Sequence, residues 1–171
     1  MVGKPQASPR PAAAPGGMEA RILLIEAPYY MEVARELLAG AVAELEAAGA
    51  TFERVSVAGA LEIPQALAQA IKAGLIGSEE VESEFDGCVA LGCVIRGETS
   101  HYEMVCTNAN HWLMELAIRH AIPVGNAILT VENEAQALAR ARGERRGKGA
   151  EAVRACLSLI TIGRAFEGLA Q

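Results

Sequence analysis

Between Gly87 and Gly97 the chain reads GCVALGCVIRG, a nearly unbroken apolar run from Cys88 to Ile95 closed at both ends by glycine. A run without polar alternation suits a strand buried on both faces, as inside a parallel sheet. A helix follows almost at once. Ser100 and Glu103 have the spacing of a capping box, and Val105, Ala109, Trp112, Leu113 and Leu116 then recur at helical intervals. Arg96 to Ser100 is therefore a tight strand-to-helix turn. A strand of this kind needs parallel neighbours on both sides, and parallel neighbours need crossover connections.

The rest of the sequence provides them. ILLI within Arg21 to Ala27 reads as a buried strand, and after Pro28 a helix carries Val33, Leu37, Leu38, Ala41 and Leu45 on one face until Gly49 ends it. Phe52, Val55 and Val57 mark a second strand-like segment, and Gly59 to Pro64 turns into a helix that fades near Gly74 and Gly77. Pro123 to Val131 reads as a fourth strand, with a helix from Asn133 to about Arg142 after it. The basic turn GERRGKG then leads to a last helix bearing Val153, Cys156, Leu157 and Ile160. Four strands alternating with helices predict an α/β fold, a flavodoxin-like three-layer sandwich with a four-stranded parallel sheet and right-handed crossovers. The turns after the four strands, Pro28 to Tyr30, Ala58 to Glu62, Arg96 to His101 and Thr130 to Asn133, then share one edge, where ligands of such sheets collect.

Residues 1–17 are rich in Pro, Ala and Gly without apolar periodicity and read as a flexible tail, leaving residues 18–171 as one domain. The acidic run Ser78 to Glu84 reads as a solvated connection. A formal net charge of −6 argues against general nucleic-acid or anionic-membrane binding. The chain has no apolar run long enough to span a bilayer, and prolines interrupt what would be the core of a signal peptide. Cys88, Cys93, Cys106 and Cys156 form no CxxC pair and sit in apolar segments, which fits reduced thiols of a cytoplasmic protein.

His101, just inside a helix start, is the best general acid or base: imidazole titrates near neutrality, and a helix N-terminus and Arg96 favour its uncharged form. It also fits a helix-start histidine bonded to backbone. A zinc role suits the histidines poorly, because His101, His111 and His120 on one helix stand about 14–15 Å apart from neighbour to neighbour. Arg140, Arg142, Arg145, Arg146 and Lys148 form either a solvated surface or a site for a phosphorylated substrate. Tyr29 and Tyr30 stack on a flat heterocycle or pack on a helix, and Glu62 accepts from substrate hydroxyls or caps its own helix. Neither GxGxxG nor a Walker pattern follows the first strand.

GALEIP at Gly59 to Pro64, LGCVIRGETSHYEMVC at Leu91 to Cys106 and PVGNAILTVENEAQALARA at Pro123 to Ala141 together resemble the 6,7-dimethyl-8-ribityllumazine synthase family, over roughly Arg21 to Phe166. The resemblance implies a transferase of riboflavin biosynthesis that condenses 5-amino-6-(D-ribitylamino)uracil with 3,4-dihydroxy-2-butanone 4-phosphate, releasing phosphate and water without metal or organic cofactor. It assigns ring stacking to Tyr29, the ribityl pocket to Gly59, Ala60, Leu61 and Glu62, and backbone contacts with the ring to Val94 and Ile95. Phosphate falls to Gly97, Glu98, Thr99 and Arg140, proton transfer to His101, and charge balance near the site to Lys148.

The resemblance also implies small-molecule substrates only, and a homopentamer with sites between subunits. It admits a 60-mer shell and association with riboflavin synthase. Two positions depart from the commoner pattern. Asn126 stands where many relatives place a phenylalanine that closes the neighbouring subunit's pocket. Glu98 replaces a small residue of the phosphate turn, so its carboxylate has to point away from the phosphate.

Overall fold

A computed structural model describes residues 18–77 and 82–170. The expected tail over residues 1–17 and the start of the acidic run, residues 78–81, lie outside the described residues. The elements run β1 (Arg21–Glu26), α1 (Met31–Ala48), β2 (Thr51–Ser56), α2 (Glu62–Lys72), β3 (Gly87–Ile95), α3 (His101–Arg119), β4 (Val124–Val131), α4 (Glu134–Ala141), a 3-10 turn (Glu144–Arg146) and α5 (Lys148–Leu169). The four strands form one parallel sheet in the order β2-β1-β3-β4. This is the flavodoxin-like α/β arrangement that the sequence predicts.

The layers follow from side-chain alternation. Ile22 and Leu24 of β1, with Val89 and Leu91 of β3, face α1, α4 and α5, while Leu23, Ile25, Cys88 and Ala90 face α2 and α3. Central β1 and most of β3 are buried throughout, whereas β2 at the edge is largely exposed. Each fully buried Leu or Ile contributes about 1.5–3 kcal/mol. Glycine permits the closest approaches. A Cβ on Gly125 would stand 1.9 Å from the Ala152 carbonyl oxygen and one on Gly149 2.0 Å from that of Leu37, so α5 lies directly on β4 and on α1.

Two sequence expectations fail at α3. Ser100 is in the right-handed helical region, φ −68° and ψ 0°, and makes no side-chain cap. The capping box does not form, and Glu103 pairs with Arg96. Trp112 is 51% exposed, since the buried stripe of α3 is Val105, Ala109 and Leu113, and Trp112 stands about 100° round the helix from Leu113. By contrast Asn133 caps α4, its side chain accepting from the Gln136 amide at 2.9 Å, and Gly49 ends α1 at φ 70°.

Candidate active site

Strand stagger makes the crevice. β1 pairs with β3 only as far as Leu91, where the Ala27 amide donates to the Leu91 carbonyl at 2.9 Å, whereas β4 accompanies β3 to Ile95. The last residues of β3 therefore lack a strand partner on the β1 side. Because Leu91 faces β1 and the Arg96 amide donates to Val131 on the other side, the backbone of Cys93 and Ile95 faces the vacated space. Three turns close round it. They leave a cavity of about 310 Å³.

From the β1 turn come Tyr29, 71% exposed, and Tyr30, half-buried, with ring centroids 5.1 Å apart in an edge-to-face pair. Burial raises the Tyr30 phenol pKa, opposed by a backbone hydrogen bond from Ile95. From the β2 turn come Gly59, Ala60, Leu61 and Glu62. Glu62 opens α2, and a Cβ on Gly59 would lie 3.1 Å from its carboxylate oxygen, so the acid folds back over a position with no side chain. From β3 and its turn come Val94, Ile95, Gly97, Thr99 and His101.

The Arg96 to Ser100 turn is open. Among the described residues the amides of Gly97, Glu98, Thr99 and Ser100 donate to no acceptor, and the Thr99 hydroxyl accepts weakly from the His101 amide at 3.4 Å. A helix start with free amides and a hydroxyl suits an anion. His101 is exposed at the cavity rim. Arg96 does not act on it as an isolated cation, because Glu103 and Glu132 both pair with it. Tyr102 and Cys93 also line the cavity and escaped the sequence reading. Tyr102 follows His101 in the first turn of α3, and that adjacency was its only signal. Burial pushes the Cys93 thiol up to about 11, which leaves it protonated at neutral pH.

A larger hollow of about 710 Å³ lies at the opposite end of the sheet, near the start of β4, lined mainly by apolar residues. Among the described residues its lining includes no histidine and no helix start. Among the described residues no group of three or more His, Cys, Asp or Glu could hold a metal ion.

The chain matches the family described as 6,7-dimethyl-8-ribityllumazine synthase over residues 19–164. The chain belongs to this family. A relative of that name from Azorhizobium caulinodans is 52% identical over 145 residues, 85% of this chain and 87% of the relative. One from Agrobacterium fabrum is 46% identical over 147 residues, 86% of this chain and 97% of the relative, and 6,7-dimethyl-8-ribityllumazine synthase 1 of Rhizobium meliloti is 48% identical over 141 residues.

Not every residue that the synthase resemblance assigns lies in the cavity. Asn126, Arg140, Lys148 and Glu98 are all exposed and outside its lining. Asn126 on β4 donates to Asn110 of α3 at 2.7 Å and accepts from the Ile128 amide at 2.9 Å. The basic run is largely committed within the chain: Arg142 pairs with Glu32, Arg145 with Glu44 and Lys148 with Glu151. Among the described residues Arg140 has no carboxylate partner and donates only to the Gln136 carbonyl, at 3.0 Å. Among the described residues no helix is long and apolar enough to cross a membrane.

Proposed function

We propose that the chain condenses 5-amino-6-(D-ribitylamino)uracil with 3,4-dihydroxy-2-butanone 4-phosphate to 6,7-dimethyl-8-ribityllumazine in the cavity at the ends of β1, β2 and β3. The observation that carries this reading is that one cavity gathers an exposed aromatic, Tyr29, an acid, Glu62, an open anion-binding turn and His101, in a chain of the lumazine synthase family.

Each group has a task that its position permits. Tyr29 stacks on the pyrimidine, the Val94 and Ile95 backbone holds the ring edge, and Glu62 accepts from ribityl hydroxyls. Gly97, Thr99 and the Glu98 amide take the phosphate. The uracil 5-amine attacks the ketone, forming the C=N bond and releasing water. A proton then leaves the carbon chain as the C–O bond to phosphate breaks, and inorganic phosphate departs. The enol left behind takes up a proton at its terminal carbon and becomes a ketone, and attack by the ribitylamino nitrogen on that new carbonyl closes the second ring, with loss of another water. His101, at the rim beside the phosphate turn, moves the protons in these steps.

Arg140, Lys148 and Asn126 lie outside the chain's own cavity, which supports a homopentamer in which a neighbouring copy brings them to the site, Arg140 completing the phosphate clamp. Its substrates are small molecules of the cytoplasm. The same pentamers admit closure into a 60-mer.

The test mixes the purified protein with the two substrates and follows lumazine fluorescence and phosphate release above the spontaneous reaction. Protein-dependent formation of both products is the expected result. A background rate from a folded, assembled protein overturns the reading, and tight flavin binding in that case would mark a binding protein on the same scaffold.

A further inference from the structure

The sequence of the turn contains a conflict. Ser100 and Glu103 have the spacing of a capping box, in which the glutamate side chain takes the amide of the capping residue. That amide belongs to the open turn, and a carboxylate on it would repel a phosphate as well as occupy its donor. In the folded chain Glu103 is elsewhere. Its carboxylate pairs with Arg96 and accepts from its own amide, and Ser100 remains uncapped.

Arg96 is built to hold it there. Its Nε donates to Glu132, just past the end of β4, at 2.9 Å to the nearer carboxylate oxygen, and its Nη1 to Glu103. The guanidinium carbon stands 4.2 Å from the centroid of the Tyr102 ring. The backbone is also tied, the Arg96 amide donating to the Val131 carbonyl at 2.9 Å. Arg96 itself does not line the cavity. Its Nε, its Nη1 and one face of the guanidinium are thus engaged within the chain. A planar fork is needed for this arrangement, and a lysine ammonium could not hold both acids and stack.

We propose that Arg96 is a positioning residue for the phosphate-binding turn, which draws Glu103 off the Ser100 amide and so keeps the helix start open to the anion. Arg96 thereby decides between two uses of the Ser100 amide, capping the protein's own helix or joining the Gly97, Glu98 and Thr99 amides around the substrate's phosphate. This role rests on the reading of the turn as the phosphate site.

The experiment measures binding of inorganic phosphate by the assembled protein, together with KM for each substrate, in wild type, Arg96→Met, Glu103→Ala and the double variant. Arg96→Met is expected to weaken phosphate binding and to raise KM for the butanone phosphate about tenfold, the scale of one charge-assisted hydrogen bond. KM for the uracil substrate, held by the β1 and β2 turns and the end of β3, should hold within about twofold. Glu103→Ala alone should bind phosphate as well as wild type. In the double variant the competitor is gone, and phosphate binding should return to within about threefold of wild type.

A general loss of structure would not be rescued by removing a second partner, so a double variant as weak as Arg96→Met overturns the role. So does an Arg96→Met variant that binds phosphate normally. Should Arg96→Met fail to fold, Arg96→Lys paired with Glu103→Ala gives the same comparison. Wild-type turnover separates the two levels: an active wild type with indifferent variants overturns this role alone. A wild type with neither turnover nor phosphate binding overturns the proposed function, and this role with it.

Discussion

Arg145 Nε donates to Glu44 Oε2 at 2.9 Å across 101 residues of sequence, and Arg154 of α5 donates to the same oxygen at 2.9 Å. Glu44 on α1 is 6% exposed, so its carboxylate is satisfied by these two guanidinium groups rather than by water. Arg154 also donates to the Arg145 carbonyl at 2.8 Å. One buried acid therefore ties α1, the 3-10 turn and α5 together, immediately before Lys148.

Glu44→Ala leaves two partly exposed arginines without their acceptor and should cost about 2 kcal/mol, seen as a lowered thermal midpoint. The pH dependence has a definite sign. The Arg145 hydrogen bond holds the Glu44 carboxyl below its ordinary value of 4.5. A folded-state pKa depressed in this way contributes stability above the unfolded value and loses it as pH falls through the folded one. Wild type should therefore lose stability relative to Glu44→Gln as pH falls below about 4.5. An equal pH profile for the two proteins would remove Glu44 from the account.

Gly125→Ala is expected to damage the fold out of proportion to one methyl group. The new Cβ would meet the Ala152 carbonyl oxygen at 1.9 Å; that oxygen is backbone, and a Cβ has no rotamer by which to turn aside. The cost should reach or exceed the upper end of the about 1–3 kcal/mol typical of overpacking. Gly97→Ala is the control, since nothing lies within 4 Å of a Cβ there. Comparable denaturation midpoints for the two variants would contradict the direct seating of α5 on β4.

His101→Ala should lower turnover by about 10²–10⁴, the usual range for a positioned acid or base. Exposed at the cavity rim, His101 buries little, so the variant should keep its thermal midpoint and assembly. Turnover within a few-fold of wild type would take His101 out of the mechanism and leave proton transfer to water.

The thiols should separate by reactivity. Burial pushes Cys156 up to about 12 and Cys93 to about 11, raises Cys88 further, and raises the half-buried Cys106 as well. Iodoacetamide near neutral pH should thus label Cys106 first, Cys93 slowly, and Cys88 and Cys156 only after unfolding, as read by peptide mass spectrometry. Rapid native labelling of Cys88 or Cys156 would contradict a tightly packed centre.

What the sequence determines by itself is what short-range pattern can encode. The apolar run Cys88 to Ile95 forms the central strand, the 3.6-residue spacing of Val33, Leu37, Ala41 and Leu45 forms the buried stripe of α1, and Gly49 and Asn133 terminate and cap helices as their chemistry requires. Alternation of strand and helix suffices for the parallel sandwich, and the shared strand ends suffice to bring Tyr29, Glu62 and His101 to one cavity. Tertiary structure alone decides which partner a side chain takes when several are eligible. Glu103 has a local partner in Ser100, yet goes to an arginine whose other acid, Glu132, lies 36 residues further along the chain. Trp112 is helical and apolar yet faces outward, because three smaller residues already fill the interface. The crevice itself comes from β3 outrunning β1 while β4 keeps pace. Ion-pair choice and strand stagger depend on groups distant in sequence, and their energies exist only once the fold has brought those groups together.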